Sequence, residues 1–253
     1  MKVFERTKML TDTPMHYCPG CTHGIVHRLV AESIEELGLQ DKAIGIAPVG
    51  CAVFAYNYFN CDVQEAAHGR APAVATGIKR CLPDRLVFAY QGDGDLASIG
   101  MAETVHAAAR GEKFTVIFIN NSIYGMTGGQ MAPTTLIGQK ATTCQSGRNP
   151  EVNGYPIRMC ELLSTLDAPY YIERVATYDV PHVKAAKKAI KKALQFQSEN
   201  RGYTFIEVLV ACPTNWKMSP IEALNFMKNE CTKTFPLGVY RDKSSSKEEL
   251  PHA

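Results

Sequence analysis

Apolar, β-prone runs alternate along this chain with stretches whose apolar residues recur at helical spacing. Segment 24–37 (GIVHRLVAESIEEL) spaces Ile25, Leu29, Ile34 and Leu37 as one face of a helix would. A short apolar run at 43–47 (AIGIA) and the turn PVG come next, then a helical pattern at 72–81 and the β-prone RLVFAY at 85–90. Residues 97–109 have helical composition up to the break at Gly111. FTVIFIN at 114–120 is continuously apolar, as a parallel strand covered on both faces requires. A polar, glycine-rich stretch at 121–156 follows, too long for a simple connection and expected to be functional or to contain short elements. A helix near 159–166, a strand near 170–175, a helix over 180–198 with its lysines on one face and a strand at 203–210 then resume the alternation. The pattern predicts an α/β fold with a doubly wound, mostly parallel sheet. No linker divides residues 1–240; residues 241–253 (RDKSSSKEELPHA) read as a polar tail, mobile or bound to a partner.

Composition narrows the class. The 253 residues are 45% hydrophobic, enough to bury a full core, and the formal net charge is only +2. Such a balance draws neither nucleic acid nor an acidic membrane surface. MKVFERTKML has no apolar run of signal-peptide length, and no later stretch reaches the roughly 20 apolar residues of a membrane helix. A soluble, cytoplasmic protein is expected. Nine cysteines are then more consistent with metal ligation plus small core residues than with disulfides. Cys18, Cys21, Cys51 and Cys212 sit in Gly/Pro-rich settings, Cys81, Cys160 and Cys231 in or near helical patterns where burial is expected, and Cys61 and Cys144 are undecided.

Two loop motifs carry the candidate chemistry. The run at 85–90 ends in Gln91-Gly92-Asp93-Gly94-Asp95, and the run at 114–119 ends in Asn120-Asn121. If the two strands are parallel neighbours, both motifs lie at the carboxyl edge of the sheet, where α/β folds bind ligands. Gly92 and Gly94 permit a tight turn and close approach of a phosphate. Carboxylates would repel a diphosphate unless a divalent cation stood between them, and magnesium takes hard oxygens. The Asp93 carboxylate, the Asn121 side-chain oxygen and the Ile123 backbone carbonyl are its candidate ligands. The plain alternative is a GDG turn and an NN strand end with no ligand. As a pair, however, the motifs resemble those of thiamine pyrophosphate enzymes, in which the aspartate and second asparagine hold magnesium.

Cys18-Pro-Gly-Cys21 is a CxxC that by spacing suits a zinc knuckle, a redox pair or half of a cluster site. Zinc ribbons show a second CxxC, which is missing here, and a thioredoxin-type pair should follow a strand. Cys51 (APVGCA) and Cys212 (ACPTNW) occupy loops after apolar runs, and four thiolates suffice for a [4Fe–4S] cluster.

CPGCTHG at 18–24, PVGC at 48–51, HGRAPAVATGIK at 68–79, GDGDLASIG at 92–100, NNSIYGMTGGQ at 120–130 and CPTNW at 212–216 resemble the β subunit of a 2-oxoacid:ferredoxin oxidoreductase. The resemblance spans residues 14–216 and implies a fold of the thiamine-diphosphate-binding type. It makes Cys18, Cys21, Cys51 and Cys212 the [4Fe–4S] ligands. It also marks Gly50, Cys51, His68, Gly69, Gly92, Asp93, Gly94, Asp95, Asn121, Ile123, Tyr124, Gly125, Met126 and Thr127 as the cofactor-binding set. His23, His68 and Arg70 are the catalytic candidates. His68 would bond diphosphate oxygens or, more plainly, a loop carbonyl. Arg70 would pair with charge, and His23 would meet cofactor, substrate or cluster. His27 and His106 read as packing or surface residues, and KKAIKK at 187–192 as a solvated helix face or a docking patch for acidic ferredoxin.

The resemblance implies oxidative decarboxylation of a 2-oxo acid, with electrons leaving through the cluster to ferredoxin and the acyl group passing to coenzyme A. The activating glutamate and pyrimidine-binding domain would belong to a separate α subunit, with γ and δ subunits as further partners, so this chain alone is expected to be inactive. YGMTGGQMAPTTLIGQKATT looks closest to subfamilies acting on branched-chain 2-oxo acids such as 2-oxoisovalerate, with 2-oxoglutarate next and pyruvate less favoured. Arg70, Lys140 and Arg148 are the cations available to a second substrate carboxylate. The competing readings are a redox-silent thiamine pyrophosphate decarboxylase or synthase subunit with structural cysteines, and a non-enzymatic electron-transfer or scaffold protein.

Overall fold

The computed structural model describes residues 5–245. Its strands are β1 (Ala43–Ala47), β2 (Asp62–Glu65), β3 (Leu86–Gly92), β4 (Thr115–Asn120), β5 (Ile123–Tyr124), β6 (Gln130–Met131), β7 (Tyr171–Ala176), β8 (Thr204–Leu209) and β9 (Gly238–Asp242). The helices used below are α1 (His23–Glu36), α2 (Ala55–Tyr58), α3 (Ala71–Cys81), α4 (Met101–Ala109), α5 (Pro150–Asn153), α6 (Met159–Ser164), α7 (Val180–Ser198), α8 (Pro213–Trp216) and α9 (Pro220–Phe226). Seven strands form one sheet in the order β2-β1-β3-β4-β8-β7-β9, parallel throughout except for β9. β5 and β6 pair as a small antiparallel hairpin inside the long 121–156 stretch.

Strand alternation divides the core into two layers. Phe88, Tyr90, Ile117, Ile119, Ile206 and Val208 pack with Val26, Val30 and Ile34 of α1 and Ile190 and Leu194 of α7. Val87, Ala89, Val116, Phe118 and Phe205 pack on the opposite side with Ala75 of α3, Ala107 of α4 and Leu163 of α6. Both faces are therefore dry, which is why these strands read as unbroken apolar runs. Among the described residues no helix is long and apolar enough to cross a membrane.

Several expectations shift. β9 pairs with β7, so Arg241 and Asp242 belong to the sheet rather than to a tail, and Asp242 is bound to Lys192 at 2.5 Å. The rest of the expected tail, from residue 246, lies outside the described residues. Of the four lysines in KKAIKK, Lys187 pairs with Glu32 and Glu36, Lys191 with Glu36, and Lys192 with Asp242. That face is therefore charge-balanced by α1 and β9, which weakens it as a patch for an acidic partner. Cys81 is exposed because α3 ends there, while Cys160 and Cys231 are buried as expected. The helix expected from residue 97 starts earlier, with a π-turn over Asp95–Ile99 before α4.

Candidate cofactor cleft and cysteine cavity

The sheet order places β2 on one side of β1 and β3 on the other. The connections leaving β1 and β3 therefore diverge at their carboxyl ends and open the crevice where such sheets take ligands. A cleft of about 110 Å³ lies there, lined by residues 48–52, His68, Gly92–Asp95, Asn121 and Ile123–Thr127, with His23 at its inner wall. The β3–β4 register pairs Gly92 with Ile119, which brings GDGD and NN side by side. Gly50, at φ +130°, and Gly92 have no atom near where a side chain would stand, so each leaves space that a diphosphate needs.

Asp93 is buried, and burial pushes its carboxyl up to about 7 despite the donors around it. Thr134 Oγ1 donates to Oδ2 at 2.5 Å, and the Gly94 N–H donates to Oδ1 at 2.9 Å. Asn121 is also buried; its Oδ1 accepts from the Ile123 N–H at 3.2 Å and its carbonyl from Trp216 Nε1 at 3.0 Å. Asn120 faces the other way, donating to Glu207 Oε1 at 2.7 Å while its Oδ1 accepts from the Ser122 N–H. The donor set offered to a cation is one carboxylate, one amide oxygen and one peptide carbonyl, all hard oxygens suited to magnesium.

Asp95 reaches the cleft, but its carboxylate is fully engaged. Oδ1 is bonded to His68 Nδ1 at 2.5 Å and accepts from the Gly69 N–H at 2.8 Å; Oδ2 accepts from Gln91 Nε2 at 2.6 Å. It orients His68, leaving that ring's Nε2 for a ligand, and the partner is a carboxylate rather than a loop carbonyl. Gly69, at φ +78°, lies against the backbone of Ile99 and Gly100, where any side chain would collide. Arg70 stands at the N-cap position of α3 and does pair with charge, its partner being Glu103 of α4, and it is not among the residues that line the cleft. Lys140 is exposed, and Arg148 is buried among loop carbonyls, so none of the three candidate cations lines the cleft. His23 is buried, its Nδ1 bonded to the Tyr90 hydroxyl at 3.0 Å, and burial drives its pKa down to about 3, so the ring is neutral. His27 is buried and His106 exposed. Met126 is half exposed at the rim, and the Thr127 hydroxyl donates to Gln130 at 2.6 Å.

Cys18 and Cys21 lie on the turn before α1, Cys51 on the loop after β1, and Cys212 at the start of α8. All four line one cavity of about 220 Å³. Thr22 fastens the N-terminal turn to the end of β8, bonding the Thr177 hydroxyl at 2.8 Å and accepting from the Ala211 N–H at 3.2 Å. Burial, reinforced by the neighbouring thiols, pushes Cys21 and Cys51 up to about 12 and raises Cys212 as well. Deprotonating such a set would call for a positive group among the sulfurs. Among the described residues no three His, Cys, Asp or Glu side chains converge on a single ion. Cys61 is half-buried against the core, and Cys144 is buried near Asn153.

His23, Cys51, Asn121, Gly125 and Met126 line both spaces, so cleft and cavity share a wall. A side chain at Gly125 would come within 2.9 Å of Cys51 Sγ, which shows how thin that wall is. Sequence reasoning missed three residues. Thr134 holds Asp93; Asn215 donates to the Gly125 carbonyl at 2.9 Å and to Cys212 Sγ at 3.4 Å; Trp216 holds Asn121. The last two stand in the CPTNW block already singled out for its cysteine, and their adjacency to Cys212 was the available signal.

Residues 48–208 match the thiamine pyrophosphate enzyme, C-terminal TPP binding domain family. The chain is 54% identical over 248 residues to ketoisovalerate oxidoreductase subunit VorA of Methanothermobacter thermautotrophicus, covering 98% of this chain and 52% of the relative. It is 36% identical over 243 residues to 2-oxoglutarate synthase subunit KorB of Methanocaldococcus jannaschii, covering 94% and 84% respectively. This chain thus spans about half the length of the first relative and most of the second. It shares the fold of a 2-oxoglutarate:ferredoxin oxidoreductase from Magnetococcus marinus, with a TM-score of 0.79 at 24% identity over 97% of this chain and 87% of that one. With a family match over most of the chain and relatives that align along nearly all of it, the chain belongs to the 2-oxoacid:ferredoxin oxidoreductase family, as a thiamine pyrophosphate-binding subunit component.

Proposed function

We propose that this chain is the cofactor-binding part of an enzyme that oxidatively decarboxylates a branched-chain 2-oxo acid such as 2-oxoisovalerate, passing electrons through a [4Fe–4S] cluster to ferredoxin and the acyl group to coenzyme A. The observation that carries this reading is the wall shared by the cofactor cleft and the four-cysteine cavity. Bound thiamine pyrophosphate would supply the electron sink for decarboxylation. Asp93, Asn121 Oδ1 and the Ile123 carbonyl would hold Mg2+ against its diphosphate, and His68, oriented by Asp95, would donate from Nε2 to a diphosphate oxygen. Neutral His23, which lines both spaces, would meet substrate or cofactor. Cys18, Cys21, Cys51 and Cys212 would hold the cluster. The pyrimidine-binding domain and its activating glutamate are assigned to a partner α subunit, with γ and δ subunits as further components.

The identity to a ketoisovalerate oxidoreductase subunit supports the branched-chain substrate. 2-Oxoglutarate is the second reading, supported by the 2-oxoglutarate synthase relative. Purified without oxygen, the chain is expected to be brown and to carry about four irons. A colourless protein fully loaded with zinc would contradict the redox assignment and favour the redox-silent alternative.

A further inference from the structure

The segment from Ala132 to Gln139 is fastened to the magnesium motif by its own side chains. Thr134 Oγ1 donates to Asp93 Oδ2 at 2.5 Å, Thr135 Oγ1 to the Ser122 carbonyl at 2.6 Å, and Gln139 Nε2 to Ser122 Oγ at 2.8 Å. Ser122 sits between the two candidate ligands in the chain and has φ +58°, a conformation that a non-glycine residue rarely adopts without outside support. Thr134 and Thr135 are both fully buried, so these bonds are not exchanged freely with water.

Behind the segment stands Arg148. Its guanidinium is buried and donates to the carbonyls of Pro133 at 2.9 Å and Thr135 at 2.7 Å, the two residues flanking Thr134. It also donates to Gly154 at 2.8 Å and Tyr155 at 2.7 Å, which closes the long 121–156 stretch on itself. An arginine fork fixed on four peptide oxygens is a rigid brace.

We infer that Thr134, braced by Arg148, is a positioning residue that presets the Asp93 carboxylate for the divalent cation bridging the cofactor's diphosphate. With Oδ2 held by Thr134 and Oδ1 by the Gly94 N–H, the carboxylate is fixed in one orientation. Groups that orient a metal ligand in this way typically alter metal affinity by about 10–100-fold when removed. The inference rests on the proposed magnesium–diphosphate reading and assigns the long loop its role there.

The test is calorimetry on the full chain, titrating thiamine pyrophosphate at a series of Mg2+ concentrations, with thermal unfolding of the cofactor-free protein alongside. Thr134→Val keeps the shape and removes the donor. It is expected to raise the Mg2+ concentration needed for half-maximal binding by about 10–100-fold. Saturating Mg2+ should restore cofactor affinity, and Thr134→Ser should restore wild-type behaviour. Thr134→Ala repeats the measurement without the added methyl if valine perturbs folding. Unchanged Mg2+ dependence in Thr134→Val, with binding lost in Asp93→Ala, overturns the role of Thr134 alone. Weakened binding that neither Mg2+ nor serine restores makes Thr134 a packing residue and also overturns it. Unchanged binding in Asp93→Ala removes the magnesium reading itself, and the inference falls with it.

Discussion

Asp93→Ala is expected to abolish saturable binding of thiamine pyrophosphate at millimolar Mg2+, a loss exceeding the roughly 10–100-fold typical of groups that merely orient a metal ligand. The reasoning is electrostatic. Asp93 is the one carboxylate of the proposed donor set, and the amide and peptide oxygens that remain carry no net charge. A divalent cation placed between diphosphate and protein gains most of its protein attraction from that one group. The substitution also leaves the Thr134 hydroxyl without its acceptor. Calorimetric titration reads the result, and the unfolding temperature of the cofactor-free chain separates it from general damage. Near-wild-type affinity in the variant would remove Asp93 from the metal site.

Arg174→Met should be strongly destabilising although it lies outside the cleft. Arg174 and Glu207 are both fully buried and paired at 2.9 Å, with Glu161 bound to the same guanidinium at 2.6 Å. Glu207 in turn accepts from Asn120 Nδ2, so the pair fixes the end of β4 from which Asn121 projects. Removing the cation leaves a buried carboxylate uncompensated, a loss of about 3–5 kcal/mol. For a chain of this size that corresponds to a fall of roughly 6–20 °C in unfolding temperature. The double variant Arg174→Met/Glu207→Leu should recover much of this, because replacing both members of a buried pair with apolar groups is often neutral. A double variant no more stable than the single one would show that the uncompensated Glu207 charge is not the source of the loss, leaving the bonds to Glu161 and Asn120 and the packing on Phe235 and Tyr240.

The parts of the fold legible in the sequence are those governed by a single local signal. FTVIFIN and RLVFAY read as strands because burial on both sheet faces leaves polar residues no place in them. β2 escaped notice because it is an edge strand of sequence DVQE, mostly exposed, with no apolar pattern to betray it. β9 was read as part of a tail beyond Tyr240 because polar residues suit an edge that only one neighbour covers. Cys81 was misjudged because helix composition does not say where the helix stops.

The site divides in the same way. GDGD and NN stood out because each follows a β-prone run, and the β3–β4 register brings them side by side at the cleft. Asp95 and Arg70 were singled out too, but not their partners, His68, Gly69 and Glu103, which only the folded chain brings near. Thr134 had no signature: a threonine in a glycine-rich loop becomes meaningful only when its hydroxyl meets Asp93. Arg148 offered a cation to the reader and used it on its own backbone.

The proposed function requires the cleft and the cysteine cavity to work as one electron-transfer unit. The assembled complex, kept free of oxygen and given 2-oxoisovalerate and coenzyme A without ferredoxin, tests this requirement through the visible absorption of the proposed cluster. Bleaching is expected on substrate addition, with that signal lost when Cys212 is replaced by serine. Release of carbon dioxide with the absorption unchanged would contradict it.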